Sequence, residues 1–299
     1  MATLYWNSSS STDPLAANWK PSTGGANTTL SSGDVAVLAP VTGTTLVAIN
    51  SQTQQAVTLE ALYVEEGFTP NVGSQTADWQ ISFNNLFVRQ TTNTSGRIRL
   101  GGGGVAFKAY ITGTGRSPSD SSQKVVRLVG TSTLNELYVT GASNVGFASS
   151  TPGEAGALNK CYASGADATV LVGGAATWTE LRNNGADLEA HGVSSSGVVT
   201  TIAGETTLRG VGTNGTIVAL GGTTYIASRP SSSTLNAADY IVLQGGDVDL
   251  SINPSNLIVQ KLEDRGGNLI LASPSQITVS TTTLVFDTNV RRTSSYSRS

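Results

Sequence analysis

The composition of this 299-residue chain excludes several classes of protein. Charged residues make up 12% and hydrophobic residues 38%, unlike disordered chains, which combine low hydrophobicity with high charge. A net charge of −3 gives no reason to expect nucleic-acid binding, and no apolar run approaches the ~18–20 residues of a membrane span. The 34 glycines, set among Thr- and Val-rich segments, favour an all-β structure.

The first 45 residues are rich in Ser, Thr and Asn and predict a small capping or attachment region. They contain Trp6 and Trp19, and they end in the turn Gly33-Asp34 followed by the apolar strand Val35–Leu38. The N-terminal residues lack the basic start and apolar core of a signal peptide, so we expect synthesis in a cytoplasm.

Residues 46–290 form the predicted strand-rich body. Short apolar segments alternate there with turn residues, and Gly or paired Ser/Thr interrupts nearly every window in which a helical period could develop. We expect Cys161, the single cysteine, to be a small buried hydrophobe. The clearest predicted strands of the body cover residues 46–49, 62–64, 86–88, 98–100, 125–129, 137–139, 240–243, 257–259 and 284–286.

An internal echo suggests how these strands are arranged. Gly165-Ala166-Asp167 recurs twenty residues later as Gly185-Ala186-Asp187, and looser echoes begin at residues 214, 245 and 266, each followed by a short apolar strand. A turn-plus-strand unit that returns every 20–30 residues is typical of a solenoid, whose coils bury their apolar faces only by stacking. The sequence therefore predicts a single-chain parallel β-helix. The alternative is a β-sandwich, which also contains many short strands.

The candidates for chemistry are few. Carboxylates that could pair are Glu180 with Asp187 or Glu189, Asp247 with Asp249, and Glu263 with Asp264. Asp247 and Asp249 share one face of a strand and could contribute to a Ca²⁺ site, whereas His191 has no second ligand near it in the sequence. We favour solvated side chains for all of them, and predict no enzyme activity and no cofactor or metal site.

Aromatic and basic residues supply the remaining candidates. Trp79 and Trp178 are expected in the core or at an interface, with a carbohydrate-stacking platform as the alternative. The segment 291–299 lacks an apolar pattern and carries Arg291, Arg292 and Arg298. This basic cluster is either a peg for an acidic capsid surface or neighbouring subunit, or a flexible tail.

The N-terminal motifs resemble those of known β-helical proteins. Trp6, the phrase Leu15-Ala16-Ala17-Asn18-Trp19 and the turn-strand Gly33-Asp34-Val35-Ala36-Val37-Leu38 are similar to the opening of autotransporter-type and bacteriophage virion proteins. Residues 58–68 resemble a strand followed by Gly-aromatic in head-associated phage proteins. The autotransporter branch is disfavoured because it requires a signal peptide and a membrane barrel.

The phage resemblance implies a capsid decoration (cement) protein on the virion surface, without nucleic-acid or membrane partners. It implies a homotrimer that binds the major capsid protein, with Trp6, Trp19, Asp34 and the three C-terminal arginines as structural or interface residues. The alternative is a tail spike or fibre protein that binds or cleaves a host glycan.

Overall fold

A computed structural model describes fifteen stretches of the chain. They are residues 1–49, 56–73, 78–89, 98–102, 107–113, 126–130, 133–141, 144–147, 155–173, 175–191, 197–209, 215–227, 237–251, 257–273 and 277–284. These stretches form β-strands, turns and loops, and none of them contains a helix long and apolar enough to cross a membrane.

The described residues form 22 strands. They are β1 (Thr3–Trp6), β2 (Trp19–Pro21), β3 (Val35–Leu38), β4 (Thr58–Val64), β5 (Trp79–Gln80), β6 (Ser82–Arg89), β7 (Ile98–Gly102), β8 (Phe107–Thr112), β9 (Val126–Gly130), β10 (Thr133–Thr140), β11 (Asn144–Phe147), β12 (Ala155–Ser164), β13 (Thr169–Val172), β14 (Ala175–Ala190), β15 (Val198–Arg209), β16 (Thr216–Ala219), β17 (Thr223–Ala227), β18 (Ala237–Leu243), β19 (Asp247–Asp249), β20 (Leu257–Asp264), β21 (Asn268–Ile270) and β22 (Ile277–Leu284).

These strands stack as the coils of a parallel β-solenoid, which confirms the predicted β-helix over the β-sandwich. Strand pairing is parallel throughout the described strands except between β1 and β2. The first sheet contains β1, β3, β4, β6, β8, β10, β12, the first parts of β14 and β15, β16, β18, β20 and β22. The second sheet contains β5, β7, β9, β11, β13, the last parts of β14 and β15, β17, β19 and β21.

The core is a column of apolar side chains, because every second residue of a strand points inward. In the first sheet, residues in register from β4 to β20 are all buried: Leu62, Leu86, Ala109, Leu137, Cys161, Leu181, Val199, Ile217, Ile241 and Leu262. Cys161 therefore fills one rung of this column, as expected, and burial raises the pKa of its thiol to about 12.

One corner, between the first and second sheets, is built from stacked glycines. All have positive φ angles: Gly113, Gly141, Gly165, Gly185, Gly204, Gly222, Gly245 and Gly266. A Cβ at Gly204 would lie 2.5 Å from the carbonyl oxygen of Ala186, so this corner also requires close contact between backbones. Successive corner glycines are separated by 18 residues (Gly204 to Gly222) to 28 residues (Gly113 to Gly141), which explains the irregular period of the echo.

The echo marks this corner only in part. Gly165 and Gly185 do occupy it, but Asp187 pairs with Thr169 rather than stacking on Asp167, since a turn closed by Ala168 lengthens the earlier coil. The echo that begins at residue 214 is followed by a strand, as predicted, but it lies away from this corner. Gly215 instead precedes β16 of the first sheet, and Gly222 occupies the corner.

The N-terminal strands continue the first sheet. β1 pairs with β3 on one edge and with the short antiparallel β2 on the other, and Pro21 ends β2. A short strand that ends in proline blunts an exposed sheet edge. The strand predicted at 46–49 is wrong, because only Ile49 makes a ladder contact there, a single bridge to Val72. The prediction at 284–286 extends past the described residues after Leu284, and the division at residue 45 stays a prediction.

Candidate interaction surface

The tryptophans of the N-terminal motif close the end of the core. Trp6 and Trp19 are both fully buried, with ring centroids 5.1 Å apart and an interplanar angle of 63°, and Trp19 also stacks on Trp79 at 6.3 Å. The Trp6 indole donates a hydrogen bond to the carbonyl of Val47 at 3.0 Å, and the Trp19 indole to that of Pro14 at 2.9 Å. The motif thus forms an internal aromatic cluster.

Asp34 is a local cap for the same region. Its Oδ1 accepts a hydrogen bond from the amide of Ala2 at 2.8 Å, and its Oδ2 accepts one from the amide of Ser31 at 3.0 Å. A carboxylate that joins β1 to the turn before β3 fixes the chain entry to the solenoid. The other expected interface residues, Arg291, Arg292 and Arg298, lie outside the described residues.

The candidate carboxylates near the C-terminal end each have a local partner. Asp247 accepts a hydrogen bond from the Asn268 side chain at 2.8 Å, and Asp249 accepts one from the amide of Ser251 at 2.7 Å. The solvated position expected for Glu263 and Asp264 is wrong, because both side chains are buried. Glu263 is bound by Tyr240, Arg265 and Lys261, and Asp264 accepts a hydrogen bond from the amide of Gly266 at 3.0 Å. In the part of the chain that the structure describes, no group of three or more His, Cys, Asp or Glu residues could hold a metal ion.

Glu189 lies in an ion pair on the outer surface of the second sheet. Its Oε1 is 2.6 Å from His191 Nε2 and is also bound by Arg209 Nε. The hydrogen bond with His191, together with that from Arg209, lowers the pKa of Glu189 to about 2. Glu180, the carboxylate considered as its catalytic partner, belongs instead to the first sheet and pairs with Lys160 at 3.7 Å. The two carboxylates have separate partners on separate sheets.

Trp79 and Trp178 are buried, with side chains in the core as expected, so neither offers a ring face to a sugar. A different set of aromatic residues lies on the outer surface. These residues form one in-register row on the first sheet, the aromatic ladder: Tyr63, Phe87, Tyr110, Tyr138 and Tyr162. All four tyrosines and Phe87 are partly exposed.

The rings of the aromatic ladder stack face to face. Successive centroids are 4.7, 5.1, 5.1 and 4.9 Å apart, and the interplanar angles lie between 1° and 14°. The repeat matches the ~4.8 Å spacing of strands, so each ring covers the faces of its neighbours. Solvent meets the ring edges and phenol groups. Because sugar stacking needs an open ring face, the inner rings of this ladder are not suited to it.

A second outward row flanks the rings two residues earlier along each strand. This row, the charge ladder, is Lys108, Glu136, Lys160 and Glu180 on β8, β10, β12 and β14. The signs alternate, and two ion pairs form within it, Lys108–Glu136 at 3.0 Å and Lys160–Glu180 at 3.7 Å. The hydrogen bond with Lys108 lowers the pKa of Glu136, and the same bond raises that of Lys108.

The sequence contained a signal for the aromatic ladder that composition and turn spacing did not use. Leu62-Tyr63-Val64, Leu86-Phe87-Val88 and Leu137-Tyr138-Val139 repeat an apolar-aromatic-apolar phrase, which places an aromatic ring on the outer surface of a strand whose neighbours point inward.

Comparison with family models, curated proteins and solved structures finds no match for this chain.

Proposed function

We propose that this chain is a structural virion protein, a decoration protein that binds the major capsid protein and stabilises a phage head. The observation that carries the proposal is that rows of stacked side chains run along the solenoid from coil to coil, both inside and outside. An apolar column runs inside from β4 to β20, while stacked rings and paired charges run outside from β4 to β14. Such a column supplies stiffness and contact area, the properties that a cementing protein needs.

The resemblance of the N-terminal motif to phage virion proteins supports the same role. In this chain the motif residues Trp6, Trp19 and Asp34 close one end of the solenoid. The motif therefore supports an architecture that phage head proteins use, and the role itself rests on the resemblance and on the properties of the column. The trimer that the resemblance implies stays a prediction.

The chain would stabilise the head by multivalent binding, in which many weak contacts to several capsid subunits add together. A stiff rod that touches several capsid subunits at once makes each further contact intramolecular, so weak bonds add without any single strong one. The low charge of the chain, 12% of its residues, suits a surface that binds by area and not by long-range attraction.

The test is reconstitution on heads that have been stripped of this protein. We expect the purified chain to co-sediment with stripped heads at a saturable ratio and to raise the temperature at which heating releases the genome. Absence of co-sedimentation, or an unchanged release temperature at saturation, would remove the cement role.

A matched variant tests which part attaches. Replacing Arg291, Arg292 and Arg298 with Ala removes the basic cluster and leaves all described residues unchanged. If the cluster is the peg, binding to heads weakens and its dependence on salt decreases. Unchanged binding assigns attachment to another surface.

The alternative function, a glycan-binding or glycan-cleaving tail spike, stays a prediction with less support. It calls for an open ring face or two converging carboxylates. The rings of the aromatic ladder cover one another, and Glu180 and Glu189 have separate basic partners.

A further inference from the structure

The charge ladder has a symmetry that its internal ion pairs do not require. Read along the solenoid axis from β8 to β14, the signs are plus, minus, plus, minus. Reversing this order inverts every sign. A copy of the ladder turned end for end therefore presents an opposite charge at every position of the original.

We propose that the outer face of the first sheet is a docking surface for a second copy of this chain, packed face to face with its solenoid axis antiparallel. The twofold axis lies parallel to the strands and passes between β10 and β12. In this arrangement Lys108 meets Glu180 of the other copy and Glu136 meets its Lys160, so all four contacts join opposite charges. This isologous contact is independent of the virion role.

The same axis gives compatible partners to the neighbouring rows. Tyr110 meets Arg182 of the other copy, an exposed guanidinium that can bind at a ring edge and phenol, and Tyr138 meets Tyr162. Beyond the charge ladder, β6 and β4 meet β15 and β16 of the other copy, and the exposed Arg89 of β6 then faces strand segments without a cation. The outward residues of those two segments include Val198, Thr200, Thr216 and Val218. Val198 is 37% exposed, high for a large apolar side chain, and would be covered in the dimer.

Charge complementarity distinguishes this partner from other arrangements. A parallel, unreversed copy placed on the same rows would put Lys108 on Lys108 and Glu136 on Glu136, which is repulsive at every position. The face spans eight strands, so strand geometry gives roughly 35 Å by 17 Å, or about 600 Å² per copy. That area is at the low end of specific interfaces, so we expect a concentration-dependent dimer.

Three variants of the full chain test the proposal by sedimentation velocity at low ionic strength. The acidic-ladder variant combines Lys108→Glu with Lys160→Glu, and the basic-ladder variant combines Glu136→Lys with Glu180→Lys. Each should dimerise at least tenfold more weakly than the unmodified chain, since four surface contacts become repulsive. A 1:1 mixture of the two should restore the dimer, which misfolded chains could not do.

The inverted-ladder variant carries all four substitutions and is the matched control. Its signs still alternate, so it should form its own dimer and keep its internal ion pairs. It should not pair with the unmodified chain, because every contact in that mixed dimer joins like charges.

Salt provides a further check, because raising ionic strength to about 1 M shortens the screening length to about 3 Å and should weaken the dimer. The proposal is overturned if the unmodified chain stays monomeric at every concentration tested, or if its only assembly is a trimer. It is also overturned if the single-sign variants associate as the unmodified chain does, or if their mixture gives no dimer.

Discussion

The stacked corner predicts a large and position-specific cost for adding one methyl group. Gly204 has a φ of 77°, and a Cβ there would lie 2.5 Å from Ala186 O, 2.7 Å from Gly185 C and 2.9 Å from Ala186 N. All three atoms belong to the main chain, where both Ala186 N and Ala186 O are hydrogen-bonded to the buried Asn183 side chain, so the contact is not with a flexible side chain that could move away. Gly204→Ala therefore combines a conformational cost with a steric one.

Gly43 separates the two costs. Its φ is 76°, almost equal to that of Gly204, but nothing lies within 4 Å of a Cβ built on it. Gly43→Ala should cost about 1–2 kcal/mol, the penalty of a left-handed conformation for a residue with a Cβ. Gly204→Ala should cost that amount plus about 1–3 kcal/mol for overpacking.

Urea denaturation of both variants, followed by far-UV circular dichroism, measures the difference. If both lose the same free energy of unfolding, the close backbone approach at the corner carries no energetic weight. The inference that glycine is required there for contact as well as for φ would then be wrong.

Three further predictions concern single side chains. Tyr138→Ala removes two ring stacks and should cost about 1–3 kcal/mol in free energy of unfolding. Tyr138→Phe keeps both stacks and should cost under about 1 kcal/mol. Equal losses in the two variants would contradict a role for ring stacking. Asn183→Asp replaces a buried amide that donates to two main-chain carbonyls, and it should lower the free energy of unfolding by about 3 kcal/mol or more. The same change at the exposed Asn184 should lower it little in the same denaturation assay. Because the folded-state pKa of Glu189 is lowered to about 2, its hydrogen bond with His191 stabilises the fold fully above the unfolded value of about 4.5, and this contribution is lost as pH falls toward 2. The gap in melting temperature between the unmodified chain and Glu189→Gln should therefore shrink from pH 7 to pH 3, and a constant gap would contradict this.

The sequence predicted the strands of the body because the inward pattern is strong in each coil by itself, and it predicted the solenoid because the turn-plus-strand echo returns every 20–30 residues. Phrases such as Leu62-Tyr63-Val64 and Leu137-Tyr138-Val139 identify strands from local alternation, without knowledge of their neighbours. The failure at 46–49 has a physical reason. The apolar residues there pack on the core, but only Ile49 joins a ladder, so apolar character did not indicate strand pairing.

The outer surface could not be predicted in the same way, because it depends on register between coils. Lys108, Glu136 and Lys160 are 28 and 24 residues apart, and Glu180 follows after 20. No fixed period places these residues side by side. Only the strand pairing brings them into one row, and only the row shows the alternating signs.

The interactions that hold neighbouring coils together change in the middle of the solenoid. In a solenoid each coil contacts only its neighbours, so every junction must be stable by itself. The aromatic ladder ends at Tyr162, where Arg182 takes the next position in the row. From there the buried polar residues Asn183, Thr201 and Thr206 form a hydrogen-bonded network inside.

The change falls in the longest strands, β14 and β15, and beside the close contact at Gly204. Continuous strands that bend through the corner, together with a satisfied polar network, replace the ring stacking lost outside. This arrangement implies that substitutions of equal size act differently in the two halves. Coils up to β12 should depend most on the outer rings, and those from β14 to β17 on the inner hydrogen bonds and on the absence of a side chain at the glycine corner.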